Sequence, residues 1–142
     1  MKLFIPGPTQ VAPEILAEMS HPAIGHRTEE CARLWKECRD GLRQLMATEG
    51  EILMITGPAS AMMEAAIRNT VAERSLHLVC GAFSRRWFDI AIACGRDAEA
   101  LEVPLGKGFR GKQVRGALQA GVDAGRPFEA VTLVHNETST GV

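Results

Sequence analysis

At 142 residues, with 46% hydrophobic content and a net charge of −1 at pH 7, the chain has apolar material for one core and too little for two. Sixteen basic against seventeen acidic residues, with Arg85-Arg86 the longest basic cluster, give no electrostatic basis for binding nucleic acid or an anionic membrane. Cys31, Cys38, Cys80 and Cys94 lack CxxC spacing and lie in periodic or apolar stretches, and "MKLFIPGPTQ" has too short an apolar run for a signal peptide. A cytoplasmic protein with reduced, buried thiols is expected, with neither a disulfide framework nor a metal.

In chain order, Pro6, Pro8, Pro13 and Pro22, with Gly7 and Gly25, punctuate the first thirty residues, marking a loop layer with one short helix from Pro13 to Met19. From Glu29 to Thr48, Leu34, Trp35, Cys38, Leu42, Leu45 and Met46 recur at helical spacing ahead of Gly50, so an amphipathic helix is expected. Strand-like and helix-like stretches then alternate. "EILMIT" (51–56), "LHLVC" (76–80), "AEALEVP" (98–104) and "EAVTLVH" (129–135) read as strands; 59–73, 85–95 and 111–125 read as helices. Repeated β-α-β units predict an α/β fold, a mainly parallel sheet flanked by helices.

Such sheets bind ligands beyond the carboxyl ends of their strands, which singles out three loops. "TGPAS" leads into a helix N-terminus where backbone N–H groups suit a phosphate and Ser60 adds a hydroxyl; Ser60 and Glu64 also stand near capping-box spacing. In "CGAFSRR", Phe83 follows its strand and precedes its helix, either to face a planar ligand or to pack as a core contact. In "HNETSTGV", His135 reads as a strand-end residue, and Thr138, Ser139 and Thr140 as turn formers. Nearer the N-terminus, "PAIGHRTEE" offers Arg27 as a carboxylate ligand and His26 as a base by type, or else simply a helix start at Thr28.

Four blocks in order, "FIPGPTQVAPEILAEMSHPAIGHRTEE", "ITGPASAMMEAAIRN", "CGAFSRRWFDIAIACG" and "VHNETSTGV", closely resemble the N-terminal part of class V aminotransferases of the serine-pyruvate, alanine-glyoxylate and serine-glyoxylate group. The resemblance spans the whole chain. It implies a fold-type I pyridoxal phosphate transferase, with residues 1–28 an arm lining the active site and 29–142 the first, truncated part of the large α/β domain. It implies pyridoxal 5'-phosphate as cofactor, serine or alanine with glyoxylate or pyruvate as substrates, and a homodimer; no nucleic acid or membrane is expected.

By motif, Pro58, Ala59 and Ser60 match the phosphate cradle, Phe83 the aromatic residue stacked on the pyridine ring, and Thr138 the hydroxyl near the ring oxygen. Gly7-Pro8 and Gly25-His26 match segments lining the substrate pocket. One departure is Pro58-Ala59 where the family has Ser-Gly, which removes a backbone donor and some flexibility. No catalytic residue is expected in this chain. The family's Schiff-base lysine, pyridine aspartate and carboxylate-binding arginine would lie past Val142, and Lys2, Lys36, Lys107 and Lys112 lack the reactive lysine's context. The alternative is a non-catalytic interaction or phosphate-binding α/β module.

Overall fold

The computed structural model describes residues 2–142. In chain order its elements are α1 (Pro13–Glu18), α2 (Glu29–Leu45), α3 (Ala59–Thr70), β1 (Arg74–Val79), α4 (Ala82–Ala93), β2 (Asp97–Glu102), α5 (Gly111–Asp123) and β3 (Ala130–Thr132). They fall into two units. One comprises the N-terminal residues through Gln10 together with Pro58–Val142, the other Val11–Gly57.

The first unit is built on a three-stranded parallel sheet in the order β2-β1-β3. Parallel neighbours cannot be joined by a tight turn, so α4 carries the chain from β1 to β2 and α5 from β2 to β3. Central β1 is buried from Ser75 to Val79 on both of its faces, with Leu76 and Leu78 on one and Ser75, His77 and Val79 on the other. Edge strand β2 alternates between exposed and half-buried positions instead. Ile67 of α3, Val71 just beyond that helix, and Ala91 of α4 form the core, against which Trp87, Cys94, Ala98 and Ala130 pack. Trp87 Nε1 also donates to the Met63 carbonyl at 3.2 Å, tying α4 to α3.

Ser75 and His77 share one face of β1, and the register sets Thr132 of β3 beside His77. His77 is fully buried, with Nε2 2.9 Å from Ser75 Oγ and Nδ1 2.7 Å from Thr132 Oγ1. The Phe88 ring meets the imidazole edge-on at 5.7 Å. At the amino end of the sheet, Glu129 Oε2 accepts the Ala72 and Glu73 N–H groups at 2.7 and 2.8 Å. There Arg74 pairs with Glu99 at 2.5 Å and lies over the Phe128 ring at 4.1 Å.

In the second unit, Thr28 caps α2 by accepting the Cys31 N–H at 3.2 Å, so the helix-start reading of this stretch holds. Arg43 near the helix end donates to the Gly50 carbonyl at 3.0 Å and to Glu51 at 3.1 Å. The apolar stripe forms as the periodicity predicts, yet Leu34, Trp35, Leu45 and Met46 are all exposed. Cys38 on that helix is exposed as well, and of the four free thiols only Cys80 is buried, which corrects the expectation of buried cysteines.

Residues 51–56 form no strand, so the sheet has three strands where four are expected. The run "EILMIT" is continuously apolar from Ile52 to Ile55, but no partner strand pairs with it among the described residues, and Leu53 is 85% exposed. The strand expected over 129–135 shortens to Ala130–Thr132, because the chain then turns back across the end of the sheet. Among the described residues no helix is long and apolar enough to cross a membrane.

Candidate functional site

At the carboxyl end of the sheet, β1 passes through Cys80 and Gly81 into α4, while the segment after β3 folds into a turn closed by the Gly141 N–H on the Glu137 carbonyl at 2.8 Å. The two meet through the fully buried carboxylate of Glu137. Its Oε2 accepts from the Ser84 N–H and from Ser84 Oγ, both at 2.9 Å. Its Oε1 accepts from the Phe83 N–H at 3.2 Å, Ser139 Oγ at 2.7 Å and the Ser139 N–H at 3.3 Å. Ser139 Oγ in turn accepts the Ala82 N–H at 2.9 Å, and Ser84 Oγ accepts the Cys80 and Gly81 N–H groups at 3.0 Å.

The first turn of α4 is therefore capped by a carboxylate from 53 residues further along the chain, which satisfies N–H groups that have no partner inside the helix. Burial alone would raise the carboxyl's pKa. The donors from Ser84, Ser139 and Phe83 outweigh it and hold Glu137 down to about 2. Gly81 is the residue that lets the carboxylate in: a Cβ there would come within 2.4 Å of Glu137 Cγ and 2.5 Å of Ser139 Oγ.

Around this knot stand three of the residues singled out by sequence. Phe83 lies inside the first turn of α4, not in a loop ahead of it, and its side chain is 41% exposed rather than a core contact. Thr138 sits between Glu137 and Ser139, and Gly7 approaches it so closely that a Cβ would lie 3.1 Å from Thr138 Cγ2. Pro58, Ala59 and Ser60 open α3 in the same unit. Pro58 is extended at the N-cap and no side chain caps the helix. The capping-box reading of Ser60 and Glu64 fails, because Glu64 turns instead to Arg68 at 2.7 Å, one turn on. The two helix starts thus differ in kind: α4 is filled by an anion of the protein, and α3 offers the N–H groups of Ala59 and Ser60 without one.

Gly25 and His26 belong to the second unit. The Gly25 carbonyl accepts the Thr28 N–H at 3.1 Å and the Thr28 hydroxyl at 2.8 Å, so this glycine is built into the start of α2; His26 is exposed. His135 is exposed too, and lines a pocket of about 370 Å³ with Leu78, Cys80, Phe109 and Val142. Glu137, Ser84 and Gly81 escape a reading from local patterns. The only sign of them is an acidic residue set among hydroxyls just past an apolar run in "VHNETSTG" and a serine three residues after the glycine in "GAFS".

No protein-family model matches the chain. An uncharacterized aminotransferase of Methanocaldococcus jannaschii is 38% identical over 141 residues, covering 98% of this chain and 36% of the relative. The serine–glyoxylate aminotransferase of Methylorubrum extorquens is 32% identical over 99% of this chain and 35% of its own length. Among solved structures, an aspartate aminotransferase of subgroup IV from Thermus thermophilus superposes with a TM-score of 0.85 at 36% identity, over all of this chain and 39% of that one. The chain thus spans little more than a third of the length of the proteins it matches.

Proposed function

The chain is a homologue, along its whole length, of the class V aminotransferases, and we propose that it supplies the phosphate cradle and ring face of a pyridoxal 5'-phosphate site for moving an amino group from serine or alanine to glyoxylate or pyruvate. The observation that carries this reading is the pairing of an exposed aromatic ring, Phe83, and a hydroxyl, Thr138, locked together at the carboxyl end of the sheet. The same unit also holds a helix start that no side chain caps. The residues suit the group. The N–H groups of Ala59 and Ser60, with the Ser60 hydroxyl, bind the phosphate at the positive end of α3. Phe83 orients the ring by covering one face, and Thr138 holds a proton on the ring oxygen. Gly7 keeps the space beside Thr138 open.

When bound, the cofactor supplies the electron sink for chemistry at the amino acid's α-carbon. None of Lys2, Lys36, Lys107 and Lys112 is assigned to holding its aldehyde. Free thiols support a cytoplasmic setting, and the exposed apolar stripe of α2 supports a homodimer.

A Phe83→Ala variant is expected to bind pyridoxine 5'-phosphate, an aldehyde-free analogue, about fivefold more weakly, in line with the ~1 kcal/mol of a stacked aromatic pair. Equilibrium dialysis of both proteins checks this, and equal affinities would remove Phe83 from the site.

A further inference from the structure

Glu137 does more than cap a helix. A local Ser or Asp at the N-cap would satisfy the first turn of α4 without reaching across the fold. Here the cap comes from a different loop, and Oε1 holds both partners at once, the Phe83 N–H on α4 and the Ser139 hydroxyl in the C-terminal turn. Ser139 closes a second bridge by accepting the Ala82 N–H at 2.9 Å. Thr138 is consequently fixed from both sides, since each of its chain neighbours is tied to the start of α4.

We propose that Glu137 is the positioning residue of the ring site: its carboxylate makes Phe83 and Thr138 one rigid body, so that the ring, and not the phosphate, depends on it. This rests on the cofactor reading above. The cradle at Pro58–Ser60 has no hydrogen bond to Glu137 among the described residues, so the two halves of the ligand should respond separately.

The matched control lies at the other end of the sheet, where Glu129 likewise accepts backbone N–H groups, those of Ala72 and Glu73. Equilibrium dialysis of wild type, Glu137→Gln and Glu129→Gln is run against pyridoxine 5'-phosphate and against inorganic phosphate, with circular dichroism to establish that each variant is folded. Glu137→Gln is expected to lose about tenfold in affinity for pyridoxine 5'-phosphate through lost preorganisation, while phosphate affinity stays within about twofold. Glu129→Gln is expected to leave both affinities within about twofold of wild type. If Glu137→Gln does not fold, Ser139→Ala, which removes the second bridge and one donor to the carboxylate, decides in its place with a loss of the same sign.

Unchanged pyridoxine phosphate affinity in the folded variant would overturn the proposal, as would a parallel fall in both affinities or an equal loss in Glu129→Gln. Wild type that binds no pyridoxine phosphate would sink the cofactor reading itself, a result distinct from wild type that binds and a variant that binds equally well.

Discussion

Gly81→Ala is expected to be the most damaging single-methyl change in the first unit, costing about 3 kcal/mol of stability and abolishing ring binding. The added Cβ falls 2.4 Å from Glu137 Cγ, 2.5 Å from its Cδ and 2.5 Å from Ser139 Oγ. An exposed side chain would swing away. Glu137 has no such freedom, because it is fully buried and held by Ser84, Phe83 and Ser139. The methyl group must therefore push the carboxylate off its donors, which leaves a buried charge poorly solvated and the first turn of α4 uncapped. Urea unfolding of wild type and variant at pH 7 measures the loss. A variant within about 0.5 kcal/mol of wild type, the range of ordinary surface changes, would mean that the knot yields easily and positions nothing.

Acid is expected to weaken the fold in two separate windows, the larger measurable part belonging to His77. Burial holds its pKa down from 6.5 to about 4. Both ring nitrogens already face hydroxyls, and those of Ser75 and Thr132 can rotate to accept from an imidazolium, so the obstacle to protonation is burial of the charge and not a lost hydrogen bond. Between pH 6.5 and 4 the unfolded chain binds this proton and the folded chain does not. Stability is accordingly full above pH 6.5 and falls with pH until about 4, by about 3 kcal/mol at roughly 1.4 kcal/mol per tenfold in proton affinity. Glu137 acts lower, its contribution being present above 4.5 and lost as pH falls towards 2. Urea midpoints at pH 7, 5.5 and 4 for wild type and His77→Gln isolate the upper window: the variant should lose the dependence between pH 7 and 4 that His77 causes. A wild type and variant with parallel profiles would show that the imidazole is not held neutral.

The helices were the most legible part of the fold because their signals are local. Thr28 with Glu29 and Glu30 announces the start of α2, and its apolar stripe appears in the expected phase even though Leu34, Trp35, Leu45 and Met46 are exposed. The strands were less legible. "LHLVC" and "EILMIT" look alike as strings, yet only the first, extended back to Arg74, finds neighbours on both sides. A strand exists through its partners, and partners 23 and 55 residues away leave no trace in the string itself. The start of α4 was misplaced for the same reason, since Glu137 reaches back to Phe83 and Ser84 and draws three more residues into the helix than its own periodicity suggests.

The candidate site divides along the same line. Phe83 and Thr138 could be singled out only through the resemblance of the four blocks to class V aminotransferases, since a place after a strand leaves ring contact, core packing and turn formation equally open. What joins them could not. The aligned carboxylate, the glycine that admits it and the serine that shares it are ordinary residues until the fold sets them within hydrogen-bond reach.

The claim at the centre of this account is that Ala59, Ser60, Phe83 and Thr138 face one ligand. Amide chemical shifts of the ¹⁵N-labelled protein during titration with pyridoxine 5'-phosphate test it most directly. Saturable shifts at all four amides with a common affinity, and no comparable shifts near Glu129 at the amino end of the sheet, are the result expected. Shifts confined to the Glu129 end, or at Ala59 and Ser60 with none at Phe83 and Thr138, would contradict it.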